Sequence, residues 1–156
     1  MLKKVLISSL IYLLLSNCGF KIVNQSNLNN FDIAEIITSG DKKINFRIKN
    51  KLVFNSKKNN STLISLNLNT KKIKSIKEKN IKNEITKHKL EITTQVEVKN
   101  ITTKKINNFK ITEIGEFNIA DQYSQTLNNE KKVLNLLSDK IADRILDEIN
   151  FRPDDF

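Results

Sequence analysis

The chain has 156 residues and a formal net charge of +10, with one Cys, one His, one Pro and three Gly. A single Cys excludes an internal disulfide framework, three glycines leave no Gly-rich phosphate loop, and one His provides no histidine pair for a metal site or proton relay. The charge is unevenly placed, since residues 41–110 carry 19 Lys or Arg against 5 Asp or Glu while residues 111–156 carry 5 against 10.

At the amino end, Met1-Leu2-Lys3-Lys4 precedes an apolar run over residues 5–15, followed by Ser16 and Asn17. A membrane-spanning helix needs about 20 apolar residues, so this run is too short to cross. A basic head, a short apolar run and small residues read instead as an export signal over residues 1–17. Leu15-Ser16-Asn17-Cys18 resembles the bacterial lipobox, with Asn17 bulkier than the Gly or Ala common before the cysteine. The resemblance implies cleavage before Cys18, a diacylglycerol on its thiol and an N-acyl chain such as palmitate on the new amino end. At about 0.8 kcal/mol per buried CH₂, one chain anchors marginally and several anchor stably. Gly19, in the place where Asp would resemble an inner-membrane retention signal, directs the expectation to the periplasmic side of the outer membrane. An exported protein does not meet nucleic acid, which leaves anionic lipid head groups as the large polyanion for the basic block. An A/T-rich coding sequence also inflates Lys, Asn and Ile, though it does not explain the asymmetry.

Residues 18–30 are mostly polar and read as a lipid-anchored tether, and the single domain is expected over residues 31–150. Residues 31–38 form a first strand stopped by Ser39-Gly40-Asp41. Ile44, Ile48 and Leu52 recur every four residues behind a capping Asp41, so residues 42–54 read as an amphipathic helix, and residues 55–61 as a loop. Ile64, Leu66 and Leu68 mark a second strand that fades toward Ile76, and residues 77–83 read as a charged turn. In residues 90–98, Leu90, Ile92, Thr94, Val96 and Val98 alternate with Glu91, Thr93, Gln95 and Glu97, which specifies a register strongly. A turn region over residues 99–108 leads to a fourth strand holding Phe109, Ile111 and Phe117, with Gly115 as a bulge. Leu134, Leu137, Ile141, Ile145 and Ile149 stripe a final helix over residues 128–150, and residues 151–156 form a tail.

The order β-α-β-β-β-α, with strands that alternate, predicts an α+β two-layer sandwich: a four-stranded mixed sheet with two helices on one face. The other face is expected to meet water or a polar wall.

Catalytic chemistry is not legible, and no enzyme is expected. His88 reads as an exposed strand residue. Asp139, Asp143 and Asp147 follow one another at i, i+4 and i+8 and read as a solvated helix face rather than a cation site. What remains is the lysine-rich edge of Lys71, Lys72, Lys74, Lys77, Lys79, Lys82, Lys87 and Lys89. Lysine is a compact charge that meets phosphate without planar geometry, and such charges act together within a Debye length of about 10 Å.

Cys18-Gly19-Phe20-Lys21, the element order and the closing Asn129-Glu130 followed by the stripe from Leu137 to Ile149 resemble the lipopolysaccharide-assembly lipoprotein family LptE over residues 18–150. The resemblance implies a non-catalytic plug in the lumen of the outer-membrane barrel LptD, in a 1:1 complex that inserts lipopolysaccharide into the outer leaflet. It also implies lipopolysaccharide binding by basic residues between the second and third strands, here Lys77, Lys79 and Lys82, without cofactor or metal. A second basic position just before the last helix is Leu127 here, with Lys131 and Lys132 close by. The alternative is a stand-alone lipoprotein module that binds an anionic ligand or a protein on its sheet face.

Overall fold

The computed structural model describes residues 31–55 and 62–151. The signal, the tether with Cys18, most of the first loop and the tail from residue 152 lie outside the described residues.

Strict alternation builds the sheet. In β3 (Ile85–Asn100), Leu90, Ile92, Thr94, Val96 and Val98 are buried. In β2 (Thr62–Lys79), Ile64, Leu66, Leu68 and Thr70 are buried in the same way. With β1 (Phe31–Gly40) and β4 (Ile106–Asn118) they form one four-stranded sheet ordered β1-β2-β3-β4. β1 is parallel to β2, and the other two pairs are antiparallel. Ile33 and Ile36, three residues apart, pair with Ile64 and Leu66, two apart, because a bulge between Ile33 and Glu35 absorbs Ala34.

Helix α1 (Lys42–Asn55) makes the crossover that a parallel pair requires. Asp41 starts it, its Oδ1 accepting the backbone N–H groups of Lys43 and Ile44 at 3.1 Å each, as an N-cap does. Ile44, Ile48 and Leu52 point into the core. Helix α2 (Tyr123–Phe151) lays Leu134, Leu137, Ile141, Ile145 and Ile149 over the same sheet face. The fold is thus the two-layer β-α-β-β-β-α sandwich that the patterning predicts.

Two cross-helix pairs fix the direction of the helices. The Arg47 guanidinium holds Asp139 by two bonds of 2.7 and 2.6 Å, and Lys51 reaches the Asp143 carboxylate at 2.6 Å. Both numbers rise together, so α1 and α2 run the same way. Their carboxyl ends lie where β1 begins, because Phe31 pairs with Thr62 and α1 must return to that end. The β2–β3 hairpin occupies the opposite end. Among the described residues, no helix is long and apolar enough to cross a membrane.

The structure corrects several expectations. β2 does not fade but runs to Lys79, held by its ladder with β3 where its own apolar pattern has stopped. The expected turn over residues 77–83 shrinks accordingly to residues 80–84. α2 begins at Tyr123 rather than near residue 128, because its polar first turn shows no apolar period. Gly115 is no bulge: it sits in register opposite Leu90, and its missing side chain makes room for α2.

Candidate lipid-phosphate site

β1 pairs with β2 only as far as Thr70, so from Lys71 onward β2 has β3 on one side and a free edge on the other. β4 joins β3 from Lys87, leaving the hairpin beyond that point two-stranded. Lysines along such an edge discourage pairing with another chain, and they also make the hairpin a basic projection.

The tip is a stiff turn built by asparagines. Asn80 Oδ1 accepts the backbone N–H groups of Lys82 and Glu84, both at 3.0 Å, and Asn83 adopts a left-handed φ of 64°. Asn tolerates both roles, since its short amide bonds the local backbone and accepts αL.

Most lysines of this region are already neutralised. Lys72 pairs with Asp41 at 3.4 Å, Lys74 with Glu130 at 2.7 Å, Lys77 with Glu116 at 3.3 Å, Lys87 with Glu78 at 2.8 Å and Lys89 with Glu91 at 3.4 Å. The hydrogen bond to Glu78 raises the Lys87 pKa above its ordinary value, with the Glu78 and Glu116 charges adding to it. Lys71, Lys79 and Lys82 have no carboxylate partner among the described residues, and Lys79 donates to Asn83 Oδ1 at 2.9 Å.

The three lysines expected to act together are therefore not equivalent. Lys77 and Lys79 lie on β2 and Lys82 in the turn, and only Lys79 and Lys82 offer charge that no carboxylate balances. Sequence reasoning overlooked Ile81, fully exposed between them. Its signal was present, an isoleucine in an otherwise polar turn. The tip thus offers two cations around one apolar group, an arrangement that meets a phosphate and a neighbouring hydrocarbon together.

Three other expectations change. His88 is half-buried rather than exposed, 5.4 Å from the Phe117 ring centroid and with Nδ1 3.2 Å from the Ser75 carbonyl. Lys74 Nζ stands over the same ring, 5.4 Å from its centroid. Asp139 and Asp143 are only partly solvated, 32% and 44% exposed, because they also form the α2 half of the helix clasp. Leu127 is exposed in the second turn of α2, not before it, with Lys131 and Lys132 one turn further on. No group of three or more His, Cys, Asp or Glu side chains among the described residues is placed to share a metal ion.

On the open sheet face, Glu91, Thr93, Gln95 and Glu97 lie as expected, and Thr93 shares a hydroxyl hydrogen bond of 3.0 Å with Thr112. The register also places exposed Ile73 and Ile114 on either side of Glu91, so the face is not uniformly polar.

No family model matches the chain, and no curated protein matches it significantly. Its fold is similar to rare lipoprotein B from Shewanella oneidensis, with a TM-score of 0.57 and 15% identity over 74% of this chain and 92% of that one. A lipoprotein from Caulobacter crescentus gives 0.57 and 9% identity over 81% and 92%. A lipoprotein B from Nitrosomonas europaea gives 0.53 and 12% over 85% and 90%. At these identities the likeness carries the fold.

Proposed function

We propose that the chain is a non-enzymatic outer-membrane lipoprotein, anchored through acylated Cys18, that plugs the LptD barrel in a 1:1 complex and helps it place lipopolysaccharide in the outer leaflet. The observation that carries the reading is the fold, which aligns with nearly the whole of rare lipoprotein B, another name for LptE. This likeness comes from backbone geometry, independently of the Cys18-Gly19-Phe20 start and the lipobox, and supports the same reading.

The surface suits the role. A barrel lumen is polar where its outer wall is apolar, and a plug needs a closed core beneath a largely polar outside. The Thr93, Gln95 and Glu97 side of the sheet has that character. Lys79 and Lys82 are the hairpin cations that meet lipopolysaccharide phosphates, Ile81 reaches the adjoining acyl region, and Lys77 joins them where Glu116 releases it.

The test is recovery of the tagged chain from native outer membranes in mild detergent. An equimolar large barrel protein is expected in the eluate. Recovery of the chain without any barrel would overturn the plug. The stand-alone module draws on one observation, the Ile73–Glu91–Ile114 row on the open face, and predicts a barrel-free chain whose ligand is lost on Ile114→Asp.

A further inference from the structure

We infer that the outward side of α1 and its carboxyl end form a docking surface for an anionic phospholipid bilayer. α1 carries Lys42, Lys43, Arg47, Lys49 and Lys51 and no acidic residue. With its Ile44–Ile48–Leu52 stripe sealed in the core, the opposite side would be expected to be wholly polar. Instead Phe46 is 69% exposed, Val53 53% and Phe54 88%.

Helical geometry puts these groups in order. At about 100° per residue, Phe46 and Val53 lie about 20° apart at the centre of the outward side, with Lys42 and Lys49 within about 60° of Phe46. Arg47 and Lys51 are spent on Asp139 and Asp143. Lys42, Lys43 and Lys49 have no carboxylate partner among the described residues, and Lys49 reaches only the Ile36 carbonyl, at 3.4 Å. Unbalanced lysines around exposed phenyl groups match a helix that lies in the head-group plane, its rings among the acyl ends and its ammonium groups on phosphates.

A protein groove would require a continuous apolar ridge. Asn50 interrupts the line from Phe46 to Phe54, so the apolar groups stand separately among cations. That favours a fluid, anionic surface over a shaped partner.

Position agrees with chemistry. Phe151 at the end of α2 is 83% exposed, and the α1 and α2 carboxyl ends lie where the chain enters β1 at Phe31. Residues 19–30 span at most about 40 Å when extended, so a bilayer holding Cys18 is within reach of Phe54 and Phe151. This last argument rests on the lipoprotein reading, whereas the charge and aromatic pattern of α1 does not.

Among the described residues every member of the buried core lies between Phe31 and Ile149, so the chain from residue 19 onward keeps that core and is tested without anchor or apolar run. It has no Trp, which makes an introduced indole a single reporter. In Phe46→Trp and Phe54→Trp, emission is expected to shift to the blue on phosphatidylglycerol–phosphatidylethanolamine vesicles and not on phosphatidylcholine, while Tyr123→Trp, exposed at the amino end of α2 and away from this surface, stays unshifted. The double variant Phe46→Ser/Phe54→Ser is expected to sediment with the anionic vesicles about tenfold less.

Unshifted indoles at residues 46 and 54, or undiminished sedimentation of the double variant, would refute the docking surface. So would a loss of co-purifying protein on Phe46→Ser/Phe54→Ser without any vesicle binding by the parent chain, which would make the face a protein interface. Vesicle binding with no barrel in the pull-down refutes the plug alone and leaves this surface standing.

Discussion

Gly115 of β4 lies directly under Val133 of α2, so close that a Cβ on the glycine would stand 2.7 Å from Val133 Cγ1 and 3.2 Å from Leu137 Cδ2. The glycine lets the helix settle on the sheet at that point. Gly115→Ala is expected to lower stability by about 1–3 kcal/mol, the usual range for overpacking. Val133→Ala in the same chain removes the nearest obstacle and is expected to return part of the loss. Urea midpoints of the two single variants and the double variant check this, and equal losses with and without Val133 would clear that contact.

Gly40 is held more rigidly. Its φ is +88°, and a Cβ there would fall 2.0 Å from the Thr70 carbonyl oxygen. That oxygen is backbone in the centre of the sheet and already accepts the Asp41 N–H at 2.9 Å, so it cannot turn aside. Gly40→Ala combines an unfavourable left-handed backbone with a clash and is expected to cost about 2–4 kcal/mol, more than Gly115→Ala. Denaturation at an unchanged m-value is the measurement.

The contrast between these glycines shows what the chain's pattern could convey. Leu90 to Val98 and Ile44 to Leu52 announce their elements because burial on one face imposes a period, and the sandwich follows from their order. Gly40, between a strand and a capping Asp41, reads correctly as a stop. Gly115 does not, since what requires it is a helix that arrives from far along the chain. The same limit hid the end of β2, where Lys71–Lys79 has no apolar period and is kept extended by its partner strand. At the candidate site the lysines were legible, but their neutralisation was not, because Glu116 and Glu130 reach them across the fold.

The Arg47–Asp139 clasp is well formed but not deeply buried, with side chains 41% and 32% exposed. The Asp139 hydrogen bond raises the guanidinium pKa further, so Arg47 stays charged through ordinary pH. Solvent screening limits what such a pair contributes, to about 0–1 kcal/mol. A double-mutant cycle with Arg47→Met and Asp139→Asn is expected to give a coupling in that range, falling at about 1 M salt, where the Debye length is near 3 Å. Salt-insensitive coupling would point to packing of the arginine stem instead.

The hairpin makes an opposite-sign prediction that separates an active cation from a balanced one. Lys79 and Lys82 have no carboxylate partner among the described residues, whereas Lys77 is held by Glu116 at 3.3 Å. Lys79→Glu/Lys82→Glu is therefore expected to weaken lipopolysaccharide binding about tenfold or more, the scale of losing two charge-assisted contacts of about 1 kcal/mol each. Lys77→Gln is expected to change it little, since its charge is already spent. Glu116→Gln releases Lys77 and is expected to strengthen binding severalfold, with a steeper dependence on salt. Titration of the four proteins at two ionic strengths measures all of this. Equal effects at residues 77, 79 and 82 would mean that general basic charge governs binding; weaker binding by Glu116→Gln would mean that the Lys77 pair shapes the hairpin and holds nothing in reserve.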